Sequence, residues 1–414
     1  MILKNVFRWW VRQSLVLRIF IGLVIGAVFG LFVPKAVFIS VLGKLFVGAL
    51  KAIAPILVFV LVAASVSNVK GRKLSGRFRT LVARYVLTMV VAALVAVAAS
   101  MAFPLKLKLT EVTGGDVVNS NIGGLFQQIL VSIVQNPIKS LTEANYLSIL
   151  FWALMFGFGL KKVSSASMLD VMDNLANVIS KCVKWIIECA PFGIMGLVFS
   201  TVNENGMSVF GDYGKLLLLL VGSMLFSAFV TNPIIVAVII RRNPYPLLFK
   251  CLKESGIPAF FTRSSAANIP VNIGLCEKMG VDKDFYSVAV PLGSVVNMDG
   301  AAVTITVMTM AACHTLGIEV SVVQAIVLSL LSVAAACGAS GVAGGSLLLI
   351  PMACSLFGIS NDIAMQVVAV GFIISVVQDS LETALNSSGD VMFAATAEFH
   401  DRMKRGEKVD FLEK

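Results

Sequence analysis

The sequence has little charge and contains long stretches with none. Only 14% of its 414 residues are Asp, Glu, Lys or Arg, against about 25% in soluble domains. The longest uncharged stretch covers 42 consecutive residues, 320–361. With 58% hydrophobic residues, this composition excludes an ordinary soluble domain and predicts an all-α polytopic membrane protein. A transmembrane barrel is disfavoured, because its strands would give segments of about ten alternating residues.

Histidine and paired cysteine motifs are also scarce. The only histidines are His314 and His400, and none of the seven cysteines forms a C-x-x-C pair. Most cysteines lie in apolar segments, where a buried packing role is more common than a disulfide or a metal site. We interpret Cys313 and His314 as packing residues, and we expect no organic cofactor.

Six apolar segments in the first 240 residues are long enough to cross a bilayer core of about 30 Å as helices. They cover 15–34, 45–67, 85–105, 144–160, 171–202 and 216–240. The first lacks a small-residue cleavage site, so it is interpreted as a membrane helix and not as a signal peptide. The polar stretch 106–143 has few basic residues and is interpreted as an external loop.

The net charge of +10 comes from basic residues between the apolar segments. They do not form one patch, so nucleic acid is not an expected partner. Alternating the segments places the basic stretches 70–84, 161–162, 241–242 and 402–408 on one side. By the positive-inside rule this side is cytoplasmic, so both termini are predicted to be cytoplasmic.

The stretch 248–283 is too short and too polar for a pair of spans. It has lysines at both ends and the sequence TRSSAANIP at its centre, 262–270. Small polar residues with a proline are unsuited to a helix exposed to lipid. They favour a re-entrant hairpin that enters from the cytoplasmic side and returns.

The uncharged stretch 320–361 poses the same problem from the other face. As a single helix it would be about 63 Å long, about twice the hydrocarbon thickness. Two full spans or one hairpin would both preserve the topology. The centre, GASGVAGGS at 338–346, carries no Lys or Arg, which favours a hairpin with its tip at membrane depth. Two hairpins with opposite entry sides form an inverted repeat, typical of secondary transporters.

Polar residues of the last predicted helix fall on one stripe about 60° wide. The stripe consists of Asp379, Thr383, Asn386 and Asp390, with Glu382 at its margin. In a soluble protein it would be a solvated face, but charged residues in membrane segments usually face a cavity or a partner. We therefore predict a solute site here. Arg263 needs a counter-ion at that depth, and Asp379 is the natural candidate.

The NMDG sequence at 297–300 lies within another apolar segment. A regular helix would direct Asn297 and Asp299 about 200° apart, so they can share a site only if the backbone unwinds, as Gly300 allows. Amide, carboxylate and freed carbonyl oxygens suit a hard cation such as sodium. An ordinary capped helix boundary would explain the same residues without an ion.

Three motifs carry a resemblance to a known family: TRSSAANIP, PLGSVVNMDG and DSLETALNSSGD. Through them nearly the whole chain resembles the dicarboxylate/amino acid:cation symporter family, which includes the excitatory amino acid transporters. Within it, the chain looks most like the bacterial branch that imports serine and threonine with sodium. The resemblance implies eight transmembrane helices, two re-entrant helical hairpins, a homotrimer in a bacterial inner membrane and elevator-type alternating access.

These expectations divide the chain into seven parts. They are 1–84 (helices 1 and 2 with the basic loop, mainly scaffold), 85–143 (helix 3 and external loop), 144–247 (helices 4 to 6), 248–283 (hairpin 1), 284–319 (helix 7 with the NMDG break), 320–361 (hairpin 2) and 362–414 (helix 8 and cytoplasmic tail).

The resemblance also implies a substrate site. Ser265 and Asn386 would hold the substrate α-carboxylate, and Asp379 would bind its ammonium group with help from the Arg263 carbonyl. Hydroxyls and N–H groups at the hairpin tips suit a carboxylate, although small residues there also serve tight helix packing. The other expected members of the site are Ser264, Ala301, Gly341, Glu382 and Thr383.

Sodium sites are implied in the same way. One ion would be held by Asp390 with the carbonyls of Gly293, Asn297 and Asn386. A second would lie under the tip of hairpin 2 on backbone oxygens. A deeper third would use Asp299, Asn297 and Thr88.

The chain departs from the family pattern at the side-chain pocket and at the deep ion. Glu382 stands where acidic-substrate members have an arginine, a change of sign worth several kcal/mol against an acidic substrate. Ala301 replaces a threonine near the same pocket. Met89 replaces a serine and Ser375 an aspartate near the deep sodium, which leaves the stoichiometry open.

The predicted function is sodium-coupled import of small neutral amino acids, and not an enzyme activity. An intramembrane protease would need two carboxylates that share a proton, whereas here Asn and Thr alternate with the carboxylates. The residues also leave open sodium- or proton-coupled transport of another small neutral amino acid or of a dicarboxylate, and a channel-like anion conductance.

Overall fold

A computed structural model describes Trp10, 12–68, 76–109, 133–163, 165–337, Ala339 and 344–407. Within these residues, seven helices are long and apolar enough to cross a membrane, and two more helices, bent by 52° at their junction, form an eighth candidate span. The predicted class, an all-α polytopic membrane protein, is confirmed.

The first half of the chain contains nine described helices. They are α1 (Leu15–Phe32), α2 (Phe38–Asn68), α3 (Gly76–Ala102), α4 (Pro137–Thr142), α5 (Tyr146–Val163), α6 (Ala166–Glu188), α7 (Ala190–Asn205), α8 (Val209–Phe226) and α9 (Asn232–Ile240). A π-helical turn, Ser227–Thr231, joins α8 to α9 so that both belong to one candidate span.

One predicted span is not a single straight helix. The segment predicted at 171–202 consists of α6 and α7, which meet at Cys189 with a bend of 52°. Pro191 lies in the first turn of α7. Proline has no N–H to donate and its ring crowds the preceding turn, so a helix that runs through this position is interrupted.

The second half contains eight described helices. They are α10 (Tyr245–Cys251), α11 (Ile257–Thr262), α12 (Ile269–Lys278), α13 (Lys283–Val296), α14 (Asp299–Leu316), α15 (Val322–Ala336), α16 (Ile350–Ser355) and α17 (Asn361–Lys404). The π-helical turn Leu252–Gly256 links α10 to α11, and a 3-10 turn, Ser346–Leu349, precedes α16.

The two stretches predicted as hairpins each contain short helical arms. In 248–283 the arms are α10–α11 and α12, and both pack against α17. In 320–361 they are α15, which packs against α3 and α14, and α16, which packs against α14 and α17. The tip residues 338 and 340–343 lie outside the described residues.

Three glycines spaced one turn apart bring α1 close to α7. A Cβ on Gly30 would lie 3.0 Å from the carbonyl oxygen of Phe199, and one on Gly22 or Gly26 would overlap the backbone of α7. Small residues allow helices in a membrane to pack closely. Because α2 packs against α5, α6 and α7, the early helices form a closely packed group.

The last helix, α17, is the most extensively buried of the candidate spans. It contacts α11, α13, α14 and α16 among others. At its end, Glu398 forms ion pairs of 2.8 Å with Arg77 of α3 and with Arg402. Buried carboxylates require such partners, because an unpaired charge away from water is strongly unfavourable.

A buried network of amides and hydroxyls joins both arms of 248–283 to α17. Its members, at most 1% exposed, are Ser255, Asn268, Asn272 and Ser387. The Asn268 amide donates to Ser387 Oγ at 2.7 Å, and the Asn272 amide donates to the same oxygen at 3.0 Å. The Ser255 hydroxyl donates to Asn272 Oδ1 at 2.6 Å. The network therefore fixes the position of 248–283 on α17.

We expect Ser387→Ala to lower the free energy of unfolding by about 1–3 kcal/mol, because two buried amides lose their shared acceptor. Ser388→Ala is the matched control, since that hydroxyl donates to Ala384 O within α17 at 2.7 Å. Thermal unfolding in detergent should show a clearly larger loss for Ser387→Ala. Equal losses in the two variants would contradict a stabilising role for the network.

Candidate functional site

The backbone between α13 and α14 leaves helical geometry at Asn297 (φ −90°, ψ 87°) and Met298 (φ −123°, ψ 54°). The predicted unwinding of NMDG is confirmed. The freed Gly300 N–H donates to Asn386 Oδ1 at 2.7 Å. A Cβ on Gly300 would lie 2.8 Å from Glu382 Cα, so a glycine is needed where this segment crosses α17.

The polar stripe of α17 faces the protein interior. All five of its predicted members are at most 6% exposed: Asp379, Glu382, Thr383, Asn386 and Asp390. This burial rules out a solvated helix face. The Thr383 hydroxyl donates to Asp379 O at 2.8 Å, so its hydrogen is used within α17.

Asp379 connects the turns of both predicted hairpins. Its Oδ2 accepts from Arg263 Nε at 2.6 Å, and its Oδ1 accepts from Gly344 N–H at 3.1 Å. The predicted ion pair is confirmed. Arg263 has a φ of 52°, in the left-handed region, where it ends α11. The same turn holds Ser265, which is buried, and Ser264, whose Oγ accepts from Ala267 N–H at 3.3 Å.

Of two further residues predicted for the substrate site, the structure describes Ala301 but not Gly341. Ala301 is fully buried in the first turn of α14, next to Gly300. Gly341 lies outside the described residues, as does most of the tip under which a sodium was predicted.

Glu382 is held by three neutral donors that the sequence did not identify. Its Oε2 accepts from Thr304 Oγ1 at 2.8 Å, from Ser346 Oγ at 2.8 Å and from Gln378 Nε2 at 2.5 Å. Gln378 precedes Glu382 by one helical turn, a spacing that could have identified it. Thr304 and Ser346 come from α14 and the 3-10 turn, which only the tertiary structure brings to Glu382.

All four residues predicted for the first sodium site converge. Asn297 Nδ2 donates to Asp390 Oδ1 at 3.1 Å and to Asn386 O at 3.3 Å. A Cβ on Gly293 would lie 2.8 Å from Asp390 Oδ1. Asn297 Oδ1 and Asp390 Oδ2 are buried without a hydrogen-bond partner among the described residues. Such oxygens are the ligands that a hard cation takes.

Asp299 belongs to a separate cluster. Its Oδ2 accepts from Asn232 Nδ2 at 2.9 Å, and it also contacts the Thr88 side chain. Asn297, the third residue predicted for the deep sodium, donates through Nδ2 to Asp390 and Asn386, and its Oδ1 has no partner among the described residues.

Asn232 was missed by the sequence reasoning. Asn232 Oδ1 and Asp299 Oδ1 are both buried without a partner in the described part of the chain. Two signals could have identified it: an amide inside an apolar span, and a proline directly after it. Asn232 follows the π-helical turn Ser227–Thr231, and such turns are frequent at functional sites.

The two departures near this cluster have new partners. Met89 Sδ accepts from Met298 N–H at 3.4 Å, so the thioether contacts the NMDG break. The Ser375 hydroxyl donates to Phe372 O at 2.8 Å within α17. Met89 therefore offers no hydroxyl oxygen at its position, and Ser375 offers no negative charge at its position.

Comparisons with known proteins find relatives over nearly the whole chain. A model of the sodium:dicarboxylate symporter family matches residues 15–398. The chain is 56% identical over 396 residues to the serine/threonine transporter SstT of Bifidobacterium adolescentis, covering 96% of this chain and 92% of that protein. It is 55% identical over 398 residues to the SstT of Streptococcus agalactiae serotype III, covering 96% and 98%. The Streptococcus thermophilus SstT is 53% identical over 397 residues, with the same coverage.

Proposed function

Because the chain belongs to the sodium:dicarboxylate symporter family, we propose that it imports serine and threonine in symport with sodium. The relatives named as serine/threonine transporters support this substrate class. The observation that carries the proposal is the buried Glu382 beside the Asp379–Arg263 pair. An anion in the side-chain pocket repels aspartate, glutamate and dicarboxylates, and it can accept a hydrogen bond from a hydroxyl.

The amino and carboxylate groups of the substrate bind at the two ends of this pocket. Asp379 receives the ammonium group together with the carbonyl of Arg263, and Ser265 and Asn386 bind the α-carboxylate. The Asn386 amide supports this role, because its Nδ2 donates at 3.3 Å to Met298 Sδ, a weak acceptor that a carboxylate can replace. The site is completed by Ser264, Ala301, Gly341 and Thr383.

Sodium binds where buried oxygens have no partner among the described residues. Asp390, with oxygens of Gly293, Asn297 and Asn386, holds one ion, and Asp299 with Thr88 and Asn297 holds a deeper one. The unpaired oxygens of Asp390 and Asp299 support both sites, since a bare carboxylate oxygen away from water is unfavourable without a cation. Asn232 offers the deeper site a further amide oxygen.

The architecture proposed for this transport has eight membrane spans and two re-entrant hairpins in inverted repeats. The stretch 248–283 supports it, because its second arm, α12, contains only ten residues, whereas a span needs about 20. The early helices, mainly 1–84, form a scaffold in a homotrimer of the bacterial inner membrane. The moving part consists of the two hairpins with helix 7 (284–319) and helix 8 (362–414), and it crosses the membrane in an elevator-type motion. Both termini are cytoplasmic.

Transport by the purified full-length protein in lipid vesicles tests the function. We expect labelled serine to accumulate when an inward sodium gradient is imposed, and excess threonine but not aspartate to compete. Equal accumulation with and without the sodium gradient would contradict the proposal. Uptake that follows a proton gradient would establish proton coupling instead, and current without serine or sodium would indicate a channel.

A further inference from the structure

Among the described residues, the donors to the Glu382 carboxylate all bind the same oxygen. All three hydrogen bonds that it accepts from described residues end on Oε2. Gln378 Nε2 also donates to Thr304 Oγ1 at 2.8 Å, so two of the donors are bonded to each other. The three donors are at most 1% exposed. Oε1 is therefore the oxygen that remains for a donor from the substrate.

Three donors from different parts of the chain restrict the carboxylate to one orientation. Thr304 belongs to α14, Gln378 to α17, and Ser346 to the 3-10 turn that precedes α16. A carboxylate held in this way presents a fixed acceptor, which is the kind of pre-organisation that discriminates between similar ligands.

We propose that Thr304, Gln378 and Ser346 are positioning residues that fix Glu382, so that its Oε1 selects substrates with a side-chain hydroxyl. The proposal rests on the proposed function and deepens it. Serine and threonine both carry a hydroxyl on Cβ that can donate to Oε1. Alanine lacks this donor and leaves Oε1 without one. A site built to bond a hydroxyl discriminates strongly against an analogue that lacks it.

Through Ser346, the 320–361 stretch also takes part in orienting Glu382. It stands two residues after Gly344, whose N–H bonds to Asp379. The same short turn thus contacts both carboxylates of the substrate pocket, through Gly344 at Asp379 and through Ser346 at Glu382.

The test compares the affinities for serine and alanine during sodium-driven uptake by the full-length protein in vesicles. The inhibition constants of unlabelled serine and alanine against labelled threonine uptake are measured for the wild type, Gln378→Leu, Thr304→Val and Ser346→Ala. We expect the wild type to prefer serine and each variant to lose about tenfold or more of that preference. The loss should lie in serine affinity, with alanine affinity and maximal rate changed little.

Two controls separate positioning from folding. Thr304→Ser keeps the hydroxyl donor and should retain the wild-type preference for serine over alanine. Thr306→Val removes another buried hydroxyl of α14, which donates to Ser332 Oγ at 3.0 Å away from Glu382, and should leave the preference intact. The ratio of the two constants does not depend on the amount of active protein.

Each further outcome has a defined meaning. Active variants with an unchanged serine-to-alanine ratio would overturn the inference while leaving the proposed function in place. Loss of all uptake in the three variants, with normal uptake by Thr306→Val, would assign the cluster to folding and would also overturn it. A wild type without sodium-dependent uptake of serine or threonine would instead overturn the proposed function.

Discussion

Glu382→Arg is expected to reduce the apparent affinity for serine by about a hundredfold or more and to admit aspartate. The change removes the acceptor of Thr304, Gln378 and Ser346 and buries a second guanidinium near Arg263. Disrupting a buried charged group in this way is worth about 3–5 kcal/mol, which corresponds to more than a hundredfold in affinity. The new cation can pair with a substrate side-chain carboxylate.

The measurement is competition of labelled serine uptake by unlabelled serine and aspartate. Glu382→Gln is the matched control, because it keeps the shape of the side chain and an acceptor oxygen but removes the charge. We expect it to weaken serine binding less and to bind aspartate more weakly than Glu382→Arg does. Unchanged serine affinity in Glu382→Arg would show that this position does not determine specificity.

Asp390→Asn is expected to raise the sodium concentration at half-maximal serine uptake about tenfold to a hundredfold. The amide keeps the shape of the side chain and an oxygen that accepts from Asn297, but it lacks the negative charge that offsets the dehydration of the ion. An interaction with a charged group is worth about 1.5–3 kcal/mol. Uptake at saturating sodium should remain close to that of the wild type.

Glu398→Gln serves as the control on the same helix. Glu398 is as buried as Asp390, but its carboxylate is paired with Arg77 and Arg402. This variant should lower the unfolding temperature and leave the sodium dependence unchanged. A loss of uptake in Asp390→Asn that no sodium concentration restores would argue against Asp390 as a sodium ligand.

Most of the candidate site was predictable because it depends on local patterns. The interval of three to four residues placed the five polar side chains of α17 on one face. The pair Arg263–Asp379 followed from the need of a buried charge for a counter-ion, and its distance of 2.6 Å confirms it. The bend between α6 and α7 at Cys189 was not predicted, although Pro191 was a signal for it in the sequence.

The partners of the predicted residues could not be found in this way. Asn232 and Asp299 are 67 residues apart, and Ser255 and Ser387 are 132 residues apart. Nothing in the periodicity of either segment indicates which distant segment it meets. Ser346 is similar, since a serine among glycines also suits close helix packing.

The sequence by itself determined the membrane class, most spans, the break at NMDG and the inward stripe of α17. Each of these follows from hydropathy, helical periodicity or the conformational freedom of glycine. Only the tertiary structure decided that the described donors to Glu382 all bind one oxygen, that Asn232 reaches Asp299 and that hydrogen bonds hold 248–283 against α17. These contacts depend on how helices distant in the chain pack together, because a buried polar group takes its partner from whichever helix lies beside it.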